Sequence, residues 1–414
     1  MKVNFCPQCG EKVDDAFKFC PNCGLKLPID ETNDEPSMPS KLPPSPVKRS
    51  PVKRLSSASA TPNEGSCAKR RTMEKQETDT RSPSNRQGSP KGKGIKHVKI
   101  EPIPENEILT DNNNTNWVLG TLFTNGDNGV LYEAYRTSAT PKKQHFLLKL
   151  DAKDGKIYNE QVFLQRAAKK TTVDKWKKSH AYSFLGIPTC IAFGLHKYKQ
   201  QDYRFLVFPA LGKSFQTIIN EKKVLLEKTI FQIVYRMVDV LEYIHANEYV
   251  HGNITAENIF VNFDDFKEVY LADYYFAFRY CPAGKHVKYQ DGSKTPHVGS
   301  TEFISMDVHK GAAPSRRSDM ESLGYCMLKW LCGSLPWTGI TKASDIMEEK
   351  DKFKNDIQVT LKQCFKKKRV PGELEIYLDH VMCLNYEEAP DYDKLRNTLS
   401  AALGKTDPYD AVAV

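Results

Sequence analysis

The chain has 414 residues, 40% of them apolar, with 11 cysteines and a formal net charge of +9. That length suits one large or two ordinary domains with extra segments, and no apolar run reaches the about 18 residues of a membrane span. The first residues lack an apolar signal-peptide core, so an intracellular protein is expected, in which 11 cysteines, an odd number, do not form a disulfide framework.

The charge is unevenly placed. Residues 36–99 hold 15 Lys/Arg against 4 Asp/Glu, a balance of +11, which leaves −2 for the rest of the chain. The basicity belongs to one segment and carries no information about the partners of the folded part.

In chain order, residues 1–27 come first, with "CPQCG" and "CPNCG". Cys6, Cys9, Cys20 and Cys23 form CxxC–x10–CxxC, each knuckle followed by a glycine. Four thiolates surround zinc tetrahedrally, and a two-residue gap lets each pair turn back on one ion. So short a segment buries too little core to fold unaided, so zinc would supply the folding free energy. A redox CxxC is the alternative, and the doubled knuckle argues against it. A zinc ribbon with structural zinc is the expectation.

Residues 28–104 read as a disordered, basic, Ser/Pro-rich linker without sustained hydrophobic period. "VKRSPVKR" and "AKRR" place basic clusters at Lys48–Arg54 and Lys69–Arg71. A solvated tail would look the same, but short Lys/Arg clusters in such a chain suit an import receptor, so a nuclear localisation signal is expected. Ser45 and Ser50 each open Ser-Pro-Val-Lys, a pattern that proline-directed kinases accept. Phosphate there would offset the neighbouring positive charge.

From residue 105 to 414 the composition is globular. "NWVLGTLF" and "GVLYEAY" predict hairpin strands, and "HFLLKL" and "RFLVF" predict buried ones. "TIFQIVYRMVDVLEYIH" sets Ile230, Val234, Met237, Val238, Leu241 and Ile244 at helical spacing. "SDMESLGYCMLKWLCG" and "ELEIYLDHVMCL" continue in helical style. Strands first and helices later predict a two-lobed α+β domain.

Residues 249–261, "YVHGNITAENIFV", have the layout of a phosphotransferase catalytic loop: a histidine, a polar turn, an asparagine and an apolar strand. Asn253 stands where such a loop carries an aspartate. Together with "NEQVFLQRAAK", "RYCPAGKH", "EFISMDVHKG", "PSRRSDMESLGYCMLKWLCGSLPW" and "YEEAPDY", this loop makes the chain from about 115 to 400 resemble the vaccinia-related kinase family, close to casein kinase 1. The whole layout, ribbon and linker included, resembles the family's pseudokinase member. The resemblance implies a bilobal protein-kinase-like fold over 105–414.

Phosphoryl transfer needs glycine backbone around the phosphates, a lysine held by a helix glutamate, a metal-binding carboxylate and asparagine, and an aspartate that takes the hydroxyl proton. Lys149 in "FLLKL" and Glu160 in "NEQVF" match the lysine and its partner. Asn258 and Asp273, in "LADYYF", match the metal ligands, although Tyr275 stands where a kinase usually has glycine. His251 and Asp319 match residues that brace and anchor the catalytic loop.

Against these remnants stand the losses. The Asn253 amide can orient a hydroxyl but does not take its proton near neutral pH. Thr255 replaces the lysine this branch usually carries near the transferred phosphate. The glycine-rich loop reads "TNGDNG": Gly126 and Gly129 survive, Thr124 replaces the first glycine, and Asp127 brings negative charge toward the phosphates. At about 4 Å and an effective dielectric near 20, each like-charge pair costs roughly 4 kcal/mol. Leu147 and Phe208 match positions over the adenine and are expected to fill its space, though apolar residues on buried strands are often plain core. ATP and magnesium binding are therefore expected to be absent or weak, and no functional catalytic residue is expected.

The leading expectation is a catalytically inactive nuclear pseudokinase that binds signalling proteins as a scaffold or allosteric regulator. The resemblance implies a protein phosphatase or kinase as partner, besides the import receptor; no membrane is expected. A weakly active Ser/Thr kinase is the first alternative, because kinase catalysis is mostly positioning and electrostatics. A zinc-ribbon nucleic-acid adaptor is the second, and the linker lacks the interleaved aromatics that stack on bases.

Overall fold

Strand periodicity gives way to helical periodicity along the chain, and the architecture follows that order. The computed structural model describes residues 100–414 apart from 127–128, 138–144, 223–224 and 293–295. The four ribbon cysteines, the linker as far as residue 99, and Asp127 lie outside the described residues.

The small lobe opens with β1 (Ile108–Thr110), β2 (Asn116–Gly126), β3 (Gly129–Arg136) and β4 (Phe146–Ala152), then α1 (Lys156–Ala167) and α2 (Lys170–Ser179). It closes with β5 (Ala192–Tyr198) and β6 (Gln201–Pro209). The six strands form one antiparallel sheet in the order β1-β2-β3-β4-β6-β5. Strand alternation divides the sheet between two tasks. Leu148 and Leu150 of β4, with Phe205 and Val207 of β6, join Trp117 and Tyr132 in a core on one face. Leu147 and Lys149 point the opposite way, and Leu206 and Phe208 across the register belong to the larger core that includes α1.

The folded chain begins earlier than residue 105, where the linker was expected to end. Ile100 and Ile103 are buried in the small-lobe core. The Ile103 backbone N–H donates to the Tyr132 hydroxyl at 2.7 Å, and that hydroxyl donates back to the Ile103 carbonyl at 2.8 Å. Two isoleucines set among Lys, His and Glu carry too little apolar period to separate this stretch from the linker before it.

The large lobe begins with β7 (Lys213–Ser214), α3 (Phe215–Lys222) and α4 (Glu227–Ala246). Four short strands follow: β8 (Tyr249–Val250), β9 (Ile259–Val261), β10 (Val269–Leu271) and β11 (Phe278–Arg279). The helices α5 (Met306–His309), α6 (Arg316–Cys332), α7 (Ala343–Asn355), α8 (Ile357–Phe365), α9 (Gly372–Met382) and α10 (Tyr392–Leu403) complete it. Helix α4 is buried on nearly every face, as expected of a helix apolar most of the way round. Helix α6 starts on a Ser315/Ser318 capping box and stops at Gly333 in the left-handed conformation. Pairing of β8 with β11, and of β9 with β10 and β7, fixes both ends of the loop 251–258.

Candidate functional site

The loop between β8 and β9 is held from below by one carboxylate. Asp319, buried in the first turn of α6, accepts from the His251 N–H at 2.7 Å and the Gly252 N–H at 2.9 Å. His245 Nε2 lies 3.0 Å from the same carboxylate, and its Nδ1 2.7 Å from the Tyr392 hydroxyl. The His251 ring bridges the loop: Nε2 lies 2.9 Å from the Ala272 carbonyl, and Nδ1 accepts from the Asn253 N–H at 3.3 Å. Burial lowers the pKa of His245 and of His251, against the pull of Asp319. Burial thus favours the neutral form of both rings, which brace the loop through these contacts.

Within that frame Asn253 and Asn258 are fixed by hydrogen bonds. Asn253 Oδ1 accepts from the Ser300 N–H at 2.9 Å, and its backbone carbonyl accepts from Asn258 Nδ2 at 2.8 Å. The amide oxygen thus keeps the acceptor role an aspartate would have, without its basicity. The Asn258 donor is used inside the loop, which leaves its Oδ1 to face the cleft. Thr255 is buried, and its hydroxyl has no hydrogen-bond partner among the described residues.

The ion pair expected from sequence is present. Lys149 Nζ reaches the two Glu160 carboxylate oxygens at 2.9 and 3.1 Å. The same ammonium also donates to the Asp273 carboxylate. Burial alone would lower the Lys149 pKa, but Asp273 and Glu160 raise it, so the ammonium stays charged. Burial raises the pKa of Glu160 despite the Lys149 ion pair, and Asp273 adds to the rise. Two carboxylates therefore share one cation before any phosphate arrives.

Tyr274 and Tyr275 complete the enclosure. The Tyr274 ring stacks on Phe163 of α1 at 3.9 Å and meets the His251 ring edge-on at 4.8 Å, tying α1 to the loop. Asn159 of α1 braces the same turn by donating to the carbonyls of Tyr275 and Ala277 at 2.9 and 2.8 Å. Tyr275, in the position where glycine was expected, lays its ring 5.1 Å from Lys149 Nζ, and Phe208 lies 5.2 Å from the same atom. Burial, then the neighbouring carboxylates Asp273 and Glu160, push the Tyr275 phenol well above its ordinary range.

Leu147 and Phe208 are direct register partners on β4 and β6, so both face the cleft. They form one wall of it without filling it. A cavity of about 610 Å³ remains, lined also by Thr124, Gly126, Gly129, Lys149, Glu160, Asn258 and Asp273. A second cavity of about 660 Å³, bordered by residues 288–292 and 311–314, lies on the far side of Tyr275, which lines both. The two surviving loop glycines differ. Gly129 has φ +98°, and a Cβ there would meet the Leu150 carbonyl oxygen at 2.6 Å, whereas a Cβ on Gly126 would meet nothing. Hairpin geometry alone therefore requires Gly129, so its presence is no mark of phosphate binding.

A protein kinase domain family model matches residues 156–394, and a zinc-ribbon domain model matches residues 5–27. The chain belongs to the vaccinia-related kinase family. It is 44% identical to serine/threonine-protein kinase VRK3 of Mus musculus, over 99% of this chain and 98% of that protein. It is 50% identical to serine/threonine-protein kinase VRK3 of Homo sapiens over 77% of this chain and 68% of that protein, and 39% identical to human VRK2 over 72% and 59%. A solved structure of vaccinia related kinase 3 superposes with TM-score 0.69 at 48% identity, covering 77% of this chain and 98% of that one.

Within this vaccinia-related kinase the sequence-predicted residues Lys149, Glu160, Asn253, Asn258 and Asp273 converge on one cleft, with Leu147 and Phe208 as its wall. Asp127 is outside the described residues. For magnesium the donor set is present in Asn258 and Asp273, but for phosphate the β4 cation Lys149 is already held by two carboxylates. Sequence reasoning missed Asn159, whose side chain donates to backbone carbonyls, and Ser300, whose backbone N–H donates to the Asn253 side chain; each partner is more than 40 positions away, so no local motif marks them.

Proposed function

We propose that this chain is a catalytically silent member of its family that works by binding signalling proteins in the nucleus, as a scaffold or allosteric regulator. The observation that carries the reading is the enclosure of Lys149: Glu160, Asp273 and the faces of Phe208 and Tyr275 surround the ammonium that would meet nucleotide phosphate. A phosphate entering there competes with two carboxylates in a site of low dielectric, where like charges repel strongly. Asn253 removes the proton acceptor as well. The loop frame around Asp319, by contrast, preserves a kinase-shaped surface, which is what a protein-binding role requires.

The test is a thermal melt of the full-length protein with millimolar ATP and magnesium, beside a transfer assay on a generic basic protein. No shift and no transfer are expected. A ligand at 100 times its dissociation constant stabilises by about 2.7 kcal/mol, so a null result bounds the affinity. An ATP-dependent shift with transfer abolished by Lys149→Met would establish a weak Ser/Thr kinase instead. That second reading has support in the 610 Å³ cavity and the assembled Lys149, Glu160, Asn258 and Asp273.

The match to the zinc-ribbon family supports structural zinc held by Cys6, Cys9, Cys20 and Cys23. Metal analysis and X-ray absorption on the purified chain should find one zinc with four sulfur ligands, and two nitrogen or oxygen ligands would overturn the assignment. The basic clusters support import: alanine at Lys48, Arg49, Lys53, Arg54 and Lys69–Arg71 should move a tagged protein toward the cytoplasm. Unchanged nuclear accumulation would remove the linker from that role. The partner class, a protein phosphatase or kinase, rests on the family resemblance alone.

A further inference from the structure

A lysine and two histidines meet where the stretch 297–309, which ends in α5, lies against α7. Lys350 of α7 is fully buried, His309 is buried at the end of α5, and His297 is half-buried. Lys350 Nζ donates to the Thr301 carbonyl at 2.9 Å and the Ile304 carbonyl at 2.7 Å, and lies 3.1 Å from His309 Nε2. The rings of Tyr325 and Trp337 lie 4.9 and 5.3 Å from the same atom. On its far side the His309 ring turns Nδ1 to His297 Nδ1 at 2.8 Å. These contacts make one unbroken line from the interior to a half-buried imidazole.

The line can be satisfied in two ways. Two lone pairs, or two N–H groups, repel at 2.8 Å, so one proton lies between the facing nitrogens of His297 and His309. An ammonium at Lys350 only donates, so His309 Nε2 accepts from it and the His309 Nδ1–H points to His297. A neutral amine keeps two N–H groups for the Thr301 and Ile304 carbonyls and accepts from His309 Nε2–H. The His297 Nδ1–H then points inward. A change of charge at the buried end therefore reverses the two hydrogen bonds that lead outward.

We propose that His297, His309 and Lys350 form a proton relay through which the segment 297–309 senses pH, opening more readily when Lys350 carries the proton. Moving inward, His297 takes a proton at Nε2 from hydronium, which leaves as water, and passes its Nδ1 proton to His309 Nδ1. His309 releases its Nε2 proton to the Lys350 lone pair. Each imidazole ends with one proton on its other nitrogen, the lysine gains one, and nothing is oxidised or reduced. Burial, then Lys350 and His297, lower the His309 pKa to about 3, so that ring hands the proton on instead of keeping it. Burial draws Lys350 down to about 7, against the pull of Glu321, then of Glu302 and Cys326. Both carboxylates have partners of their own. Glu321 accepts from the Met306 N–H and the Tyr325 hydroxyl, each at 2.8 Å, and Glu302 pairs with Lys329 at 2.7 Å. A lysine in water titrates near about 10.4, so the closed segment binds the proton less well than the open one. Opening is therefore easiest below about pH 7 and grows harder as pH rises from there toward about 10.4. Val298 and Val308 border the cavity of about 660 Å³, and the Ser300 N–H donates to Asn253, so opening alters that side of the cleft.

Hydrogen–deuterium exchange of the full-length, zinc-loaded protein, corrected for intrinsic exchange, should be read by mass spectrometry at about pH 7 and about pH 8.5. Protection of residues 297–304 should rise about tenfold over that interval, while peptides of α4 do not change. Lys350→Met should remove the rise. In the unmutated chain labelled with 15N in its histidine rings, His309 should carry its proton on Nδ1 below about pH 7 and on Nε2 above it. The variant His297→Gln assigns the neighbouring ring signal. Those spectra decide the matter even where Lys350→Met does not fold. Protection of 297–304 that is independent of pH would overturn the proposal, as would a rise that persists in Lys350→Met. So would a His309 ring that keeps one tautomer throughout.

Discussion

The base of the cleft and its roof have been treated differently by this sequence. At the base, Asp319, His245 and His251 hold the loop with hydrogen bonds of 2.7 to 3.3 Å, so the bracing expected of His251 and Asp319 is present although Asn253 and Thr255 depart from the kinase pattern. At the roof, Thr124 and Gly126 line a wall whose lysine is enclosed by carboxylates and aromatic rings. The base is kept by folding: its groups are buried, and an unsatisfied buried donor costs free energy whether or not the protein catalyses anything. Apart from Gly129, which the hairpin requires, the roof loop carries no such demand: a Cβ at Gly126 would meet nothing, so folding leaves that position free to vary. A protein can therefore look like a kinase at Asp319 and not at Tyr275 without contradiction.

The largest effect should come from the base. Asp319→Ala leaves the His251 and Gly252 N–H groups and the His245 ring without their acceptor. It should lower the stability of the kinase-like domain by about 3–5 kcal/mol, read as a lower guanidinium midpoint at unchanged slope. Asp319→Asn, which keeps one acceptor oxygen, should lose less. A loss below about 1 kcal/mol in Asp319→Ala would mean that folding does not explain why the frame is intact.

The roof should respond by gaining a property. Tyr275→Gly removes the ring from Lys149 and from the partition between the two cavities. Combined with Asp127→Gly, it should convert a flat ATP–magnesium melt into a rising one, by about 1.4 kcal/mol at ten times the new dissociation constant. If the doubly substituted protein stays flat, the hold of Glu160 and Asp273 on Lys149 is the obstacle, since the Leu147/Phe208 wall leaves the cavity open.

This division also decided what the sequence revealed. Amphipathic and buried periodicities exposed β4, β6, α4, α6 and α9, because burial leaves a repeating pattern. The pairing of Lys149 with Glu160 and the loop landmarks were legible because strand and helix fix their spacing. Residues 100–104 were not, since Ile100 and Ile103 join the core as isolated contacts with Tyr132. Nor was the open volume beside Leu147 and Phe208: residue identity gives side-chain size, but the distance between lobes sets how much of the cleft that size fills. The Lys149 enclosure by Tyr275 was half legible, as a lost glycine whose ring direction no local rule supplies.

The smallest effect should come from Asn253→Asp, the change that nominally repairs the catalytic loop. In the folded chain the side-chain oxygen at 253 accepts from the Ser300 N–H, and an aspartate oxygen does so equally well. Nothing in the frame around Asp319 has to move, so stability should change by no more than about 0.5 kcal/mol. Transfer should not return either. A base is useful only when a hydroxyl and a phosphoryl group are both in place, and Lys149 remains tied to Glu160 and Asp273 under the Tyr275 ring. The change should therefore be silent in a melt with ATP and silent in a transfer assay. If Asn253→Asp alone gives phosphoryl transfer that Lys149→Met abolishes, the roof was competent throughout, and the loss of one proton acceptor is the whole distance between this chain and an active kinase.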